Sequence, residues 1–248
     1  MNRKTYGGAM LALLISSTAQ SAVIHTSHTV AGIPPGAVGD PFNPVHAPGG
    51  PSASDLIAGL LPIASGPGNF QLEGSEGLPA LTNGSIGTFV GAGTGSDNHT
   101  GYASTGAGSG GQSVTYALAG PHNLTRIVTF GGWADTGRAQ QNYTIWTSTD
   151  GTNFDLLASP PSVNSAIPQP ASGGKHAVSH RIDTFNDASP YLATNVMHVR
   201  FDFLGVENGF TGTTELDVYG VAVPEPAALA LLGSAVGLAA LRRRPNHP

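Results

Sequence analysis

No cysteine occurs among these 248 residues, so no disulfide holds the fold and no thiol chemistry is available. Charge is scarce as well, at 10% of residues. The few basic residues are concentrated at the ends, where Arg3, Lys4, Arg242, Arg243 and Arg244 make up half of the ten Lys and Arg. The five others face 14 of the 15 Asp and Glu, since Glu225 alone lies in the tail, so the stretch between the ends carries a charge of about −9. That balance excludes a basic face for nucleic acid or an anionic membrane, and suits calcium, neutral glycans or plain solubility. A bilayer-spanning run is missing at the C-terminal end too. Ala227 to Leu241 is free of charge for 15 residues, a helix of about 22 Å against a hydrocarbon core of roughly 30 Å.

Familiar catalytic signatures are absent: there is no zinc-helix motif, phosphate loop or nucleophile elbow. His176 and His180 are four residues apart, which on a strand is roughly 13 Å, too far to share one ion. They are expected to be isolated surface histidines. Pairs for glycoside hydrolysis can be drawn from Asp183, Asp187, Asp202, Glu207 and Asp217, as in any acidic β protein, and none is singled out. The expectation is a protein that binds and does not catalyse.

What is present begins with the two ends. Arg3 and Lys4, the apolar stretch Ala9 to Ile15 and the small residues Ser17 and Ala19 have the layout of a secretory signal peptide. It occupies residues 1–22 at most, with the mature chain starting near residue 20. At the other end, residues 223–248 hold Pro224, Glu225 and Pro226, then the short apolar helix, then Arg242, Arg243 and Arg244. This order resembles the PEP-CTERM sorting signal of Gram-negative bacteria. The resemblance implies that an exosortase recognises the tripeptide, that the helix enters the inner membrane transiently, and that the protein passes to the cell surface or extracellular matrix.

Between the ends, 35 glycines and 19 prolines leave no room for long helices and point to an all-β chain. Residues 23–55, with Pro34, Pro35, Pro41, Pro44, Pro48 and Pro51, read as an extended linker. Residues 56–222 read as one domain, opening on a short helical turn from Leu56 to Ile63. Alternation predicts strands at Ser113 to Leu118, Ile127 to Phe130, Tyr143 to Ser148, Phe154 to Ala158, Val196 to Phe203 and Glu215 to Val221. Asp150-Gly151 is expected to form a type I′ hairpin turn, and Gly91 to Gly111 a long loop. About eight such strands indicate a β-sandwich or jelly roll.

Leu81 to Thr88 (LTNGSIGT), GQSVTYAL, RIVTFGGWADTGRAQQNYTIWTSTDGTNFDLL, VRFDF and TTELDVYG follow one another from about Phe70 to Val221. Together they resemble the discoidin, or galactose-binding-like, domain. The resemblance implies a jelly-roll β-sandwich that binds sugars or lipid head groups through loops at one end, here polysaccharide. It also implies a structural calcium held by Asn83, Gly84, Ser85, Thr88 and Glu215, with Asn83 in place of the usual aspartate and hence a lower ligand charge. Trp133, Asp135 and Arg138 combine an aromatic face with charged groups, the chemistry of a sugar site. The competing assignment makes Trp133 a plug and Asp135–Arg138 a salt bridge. Asp97, Asn98, His99, Tyr102, Asn208 and Phe210 are further rim candidates. A structural matrix protein that self-associates without glycan, and a secreted hydrolase, remain the alternatives.

Overall fold

The computed structural model describes residues 23–31, 40–47, 49–66, 68–71, 75–89, 101–104, 111–133, 138–162, 177–204 and 209–224. The signal peptide and the tail beyond Pro224 lie outside the described residues; Pro224 itself is exposed just past the last strand. Among the described residues the regular structure is all β apart from a 3-10 turn at Leu78–Leu81. No helix there is long and apolar enough to cross a membrane.

The strands are β1 (Val23–Ala31), β2 (Pro41–Phe42), β3 (Ala64–Gly66), β4 (Thr88–Phe89), β5 (Gly101–Ser104), β6 (Ser113–Trp133), β7 (Tyr143–Ser148), β8 (Asp155–Ala158), β9 (Val178–Asn186), β10 (Ala193–Phe203) and β11 (Phe210–Ala222). Apart from the small β2–β4 pair, they form one hydrogen-bonded sheet built around β6. The first half of β6 lies between β3 and β10, and its second half between β9 and β11. One layer therefore runs β1-β9-β6-β11-β5, the other β3-β6-β10-β7-β8, with β6 common to both.

The sequence explains the switch. Val114, Tyr116 and Leu118 alternate inward, and then Gly120, at φ 154°, and Pro121 interrupt the pattern. Pro121 has no N–H to give to a ladder, and the pairing with β10 jumps there from His198↔Ala117 to Val196↔His122. Beyond the jump, Leu124 and Ile127 face inward again. They meet Ile182 of β9, Leu216 and Val218 of β11, Ile145 of β7, and Val199 and Phe201 of β10 in one core cluster. The two predicted strands Ser113 to Leu118 and Ile127 to Phe130 are thus parts of a single 21-residue strand.

Three expectations need correction. The presumed linker supplies β1, paired over nine residues with β9, and residues 40–47 and 49–55 help cover the outer face of the first layer, where Phe42 and His46 are buried. β7 and β8 do form a hairpin, but only Gly151 has positive φ. A type I′ turn needs two such residues; the connection is a longer loop in which Asp150 Oδ1 accepts the N–H groups of Thr152 and Asn153, both at 2.8 Å. The glycine-rich stretch contains β5, paired with β11.

Candidate functional site

Strand alternation decides which side chains face out. On β11, Leu216 and Val218 enter the core, so Glu215 and Asp217 lie on the opposite face, opposite Phe130 and Val128 of β6. That face is covered by the chain around residues 52–55 and 83–88, and both acids are fully buried. The Gly84 N–H donates to Glu215 Oε2 at 2.9 Å, and the Ser52 N–H donates to Asp217 Oδ2 at 3.1 Å. Asp55 Oδ1 accepts the N–H groups of Ile57 (2.9 Å) and Val218 (3.0 Å). Burial, reinforced by Asp217, pushes Glu215 up to about 9 against the N–H groups of Gly84 and Ser85. Burial, with Asp55 adding to it, likewise raises Asp217 to about 7. Raised carboxylic acids of this kind often mark catalytic sites. Here both are sealed under backbone, and no substrate reaches them.

The structure brings together Gly84 and Glu215 from the expected calcium set. Glu215 Oε1 and Thr88 Oγ1 are buried oxygens without a hydrogen-bond partner, the type of donor a hard cation takes. Asn83 and Ser85 are exposed, and Asn83 Oδ1 accepts the Ser85 N–H at 3.0 Å. Among the described residues no three His, Asp or Glu side chains group to hold a metal. One carboxylate and a neutral hydroxyl oxygen are donors that a hard cation takes, with a low ligand charge.

Trp133 ends β6 and is 2% exposed. It packs beside Gly212, where an added Cβ would stand 3.3 Å from the indole, so its face is not offered to a sugar and the plug assignment accounts for it. Arg138 is half-buried with its guanidinium 5.5 Å from the Phe210 ring centre, which joins two of the expected rim residues at one end of the first layer. Asp135, Asp97, Asn98, His99 and Asn208 lie outside the described residues, as does the Tyr102 side chain. His180 is fully buried, not a surface residue, and its Nδ1 hydrogen-bonds Thr29 Oγ1 at 2.7 Å; His176 lies outside the described residues.

The more open chemistry is on the second layer. Val199, Phe201 and Phe203 turn inward on β10, which leaves Arg200 and Asp202 outward. Arg200 Nε and Nη2 donate to the two Asp202 oxygens at 2.6 and 2.9 Å. The pair keeps 40% and 25% of its side-chain surface exposed, so the remaining donors and lone pairs meet water. Beside it opens a cleft of about 380 Å³, lined also by Gly66, Gln112, Ser113 and Leu204. Trp146 sits directly across from Arg200 on β7, its indole N–H donating to Thr144 Oγ1 at 2.9 Å. Phe154 lies 6.0 Å from the same guanidinium. Apart from Asp202, named only as one of several carboxylates, the sequence reading passed over these residues, although the signal was there: an aromatic at an outward strand position, and two opposite charges at i and i+2.

A second cleft, about 430 Å³, is lined by Thr26, Thr125, Arg126, Asp183, Phe185, Asn186, Ser189 and Pro190. Its charges are already partnered, with Arg126 and Asp183 3.7 Å apart. Asp183 is held by Arg181 at 2.7 Å, and Arg126 lies 4.4 Å over the Tyr219 ring.

No family model matches the chain, and no curated protein matches it. Among solved structures it is similar to a CBM32 module of Clostridium perfringens solved with GalNAc-β-1,3-galactose, at 20% identity and TM-score 0.32, over 43% of this chain and 64% of that one. The chain thus spans just under two thirds of that module. It is also similar to CBM32-1 from a family 31 glycoside hydrolase of the same organism (15%, 0.30, 43% and 68%). A third is the F5/8 type C domain of a Bacteroides fragilis protein (17%, 0.33, 50% and 74%). No residue role is transferred from these chains.

Proposed function

We propose that this chain is an exported, exosortase-processed surface or matrix protein of a Gram-negative bacterium, whose discoidin-like β-sandwich binds polysaccharide without catalysing a reaction. The observation that carries the binding reading is the cleft at Arg200 and Asp202, with Trp146 across the ladder. A charged fork satisfies planar arrays of hydroxyls, and an indole offers apolar area to a pyranose ring. A shallow site on one module gives modest affinity per sugar, and many copies on one surface supply avidity. Glu215, Thr88 and the Asn83-Gly84-Ser85 turn would hold a structural calcium, which would neutralise the Glu215 carboxylate and stiffen the cover of the first layer.

Titration calorimetry of the chain against the producing cell's exopolysaccharide tests the reading. Saturable heat is expected, and Arg200→Ala or Trp146→Ala should weaken binding by roughly tenfold or more, the size of one lost charged or aromatic contact. No heat with any glycan would leave a self-associating matrix protein as the function. Release of reducing ends from the polysaccharide would instead establish a hydrolase.

A further inference from the structure

A sheet edge exposes a row of N–H and C=O groups, and proteins usually blunt such edges by keeping them short or charged. Three of the four layer edges here are short: β3 has three residues, β5 four and β8 four, with Asp155 in the last. β1 is different. It has nine residues, VIHTSHTVA, with no proline, glycine, carboxylate or ammonium, and among the described residues it pairs only with β9. Thr26, Ser27, His28 and Thr29 at its centre are exposed.

The order of side chains along β1 is self-complementary. In an antiparallel pair of β1 strands centred on Ser27, Ser27 faces Ser27, Thr26 faces His28, His25 faces Thr29, Ile24 faces Val30 and Val23 faces Ala31. Apolar positions meet apolar ones and every histidine meets a threonine. The fold already uses that match across its own ladder, where His25 Nδ1 hydrogen-bonds Thr184 Oγ1 at 3.0 Å and Thr29 Oγ1 bonds His180 Nδ1 at 2.7 Å. Continuing the sheet would give a row Thr184–His25–Thr29–His180 over four strands, and on the other face a row Arg181–His28–Thr26–Asp183. An uncharged edge also lets two acidic chains approach without like charges meeting across it.

We propose that two copies of this chain pair antiparallel through β1 about a two-fold axis at Ser27, joining their first layers into one continuous sheet. Such a contact is isologous and closes on itself as a dimer. The proposal stands apart from the glycan reading, since β1 does not line the Arg200 cleft.

Sedimentation of the purified full-length chain should give twice the chain mass. Ser27→Asp, which sets two carboxylates face to face on the axis, should return the mass to one chain while far-ultraviolet circular dichroism stays unchanged. Because the chain has no thiol, Ser27→Cys supplies the only one, and mild oxidation should link two chains through it. Thr29→Cys should not cross-link, since its counterpart lies four residues along, roughly 13 Å away. A monomer at every concentration, a dimer that Ser27→Asp leaves intact, or equal cross-linking at both positions would overturn the proposal.

Discussion

Glu215 is a carboxyl group placed where ionisation is costly. Its folded value of about 9 stands far above the ordinary 4.5, so folded protein holds a proton that unfolded protein releases between those values. The stability it supports is complete below the unfolded value and declines as pH rises toward 9. Melting temperatures with a chelator present should therefore fall between pH 6 and 9, and Glu215→Gln, which keeps the shape without the titration, should flatten that limb. Calcium needs the ionised form and competes with the proton. Added calcium should raise the melting temperature more at pH 8 than at pH 6, and the Glu215→Gln protein should show no calcium response. The resemblance made Glu215 and the Asn83-Gly84 turn legible in the sequence. Their juxtaposition through the Gly84 N–H was not, because residues 131 apart meet only once β11 has been laid beside β6.

At the scale of elements, β1 shows how a strand escapes pattern reading. Val23, Ile24, Val30 and Ala31 are apolar only at its ends, and the polar centre lies upstream of a proline-rich stretch, so the segment reads as linker. Its hold on the fold is largely polar. His28 Nδ1 shares a hydrogen bond with His46 Nδ1 at 2.9 Å, and His46 Nε2 with Ser179 Oγ at 2.9 Å. Burial lowers both His46 and His180 to about 4, with His28 and Arg181 adding to the effect on His46. A histidine with a depressed folded value stabilises the fold above about 6.5 and loses that contribution as pH falls toward 4. Each buried histidine should then cost on the order of 2–3 kcal/mol across that window. Urea midpoints at pH 7 and 4.5 measure the loss, and the double variant His46→Gln, His180→Asn should show a shallower acid limb from a lower starting stability. By contrast β7, β10 and β11 were legible, because Ile145, Val199, Phe201, Leu216 and Val218 alternate against polar neighbours. β6 was legible only in halves, since Gly120-Pro121 is a stop signal by every local rule and is here a change of layer.

The molecule as a whole is organised by that shared strand. Both layers draw their inner faces from it, and between them one core cluster joins residues from Ile57 to Val218. The export reading has its own check: mass spectrometry of protein recovered from the producing cell's surface should find a chain starting near residue 20 and ending at the Pro224 region. Recovery of the intact tail would remove exosortase processing from the account. The Trp133 assignment shows why a site is harder to read than a fold. An aromatic beside Asp135 and Arg138 has the right chemistry for a sugar, but local sequence does not reveal that Gly212 opens the space for it to turn inward.

Val23 lies opposite Asn186, and Ala222 opposite His122, while Arg126 is paired with both Phe185 and Tyr219. The two strands that lead out of the described fold therefore leave from the same pole of the first layer. The Trp133 pole is 11 residues further along β6, roughly 35 Å away. A protein held through its Pro224 end turns the Arg138 and Phe210 pole outward. Two copies joined antiparallel through β1 would have their exits at opposite poles, a geometry suited to cross-bridging two attachment planes, as between neighbouring cells, and unsuited to standing side by side on one.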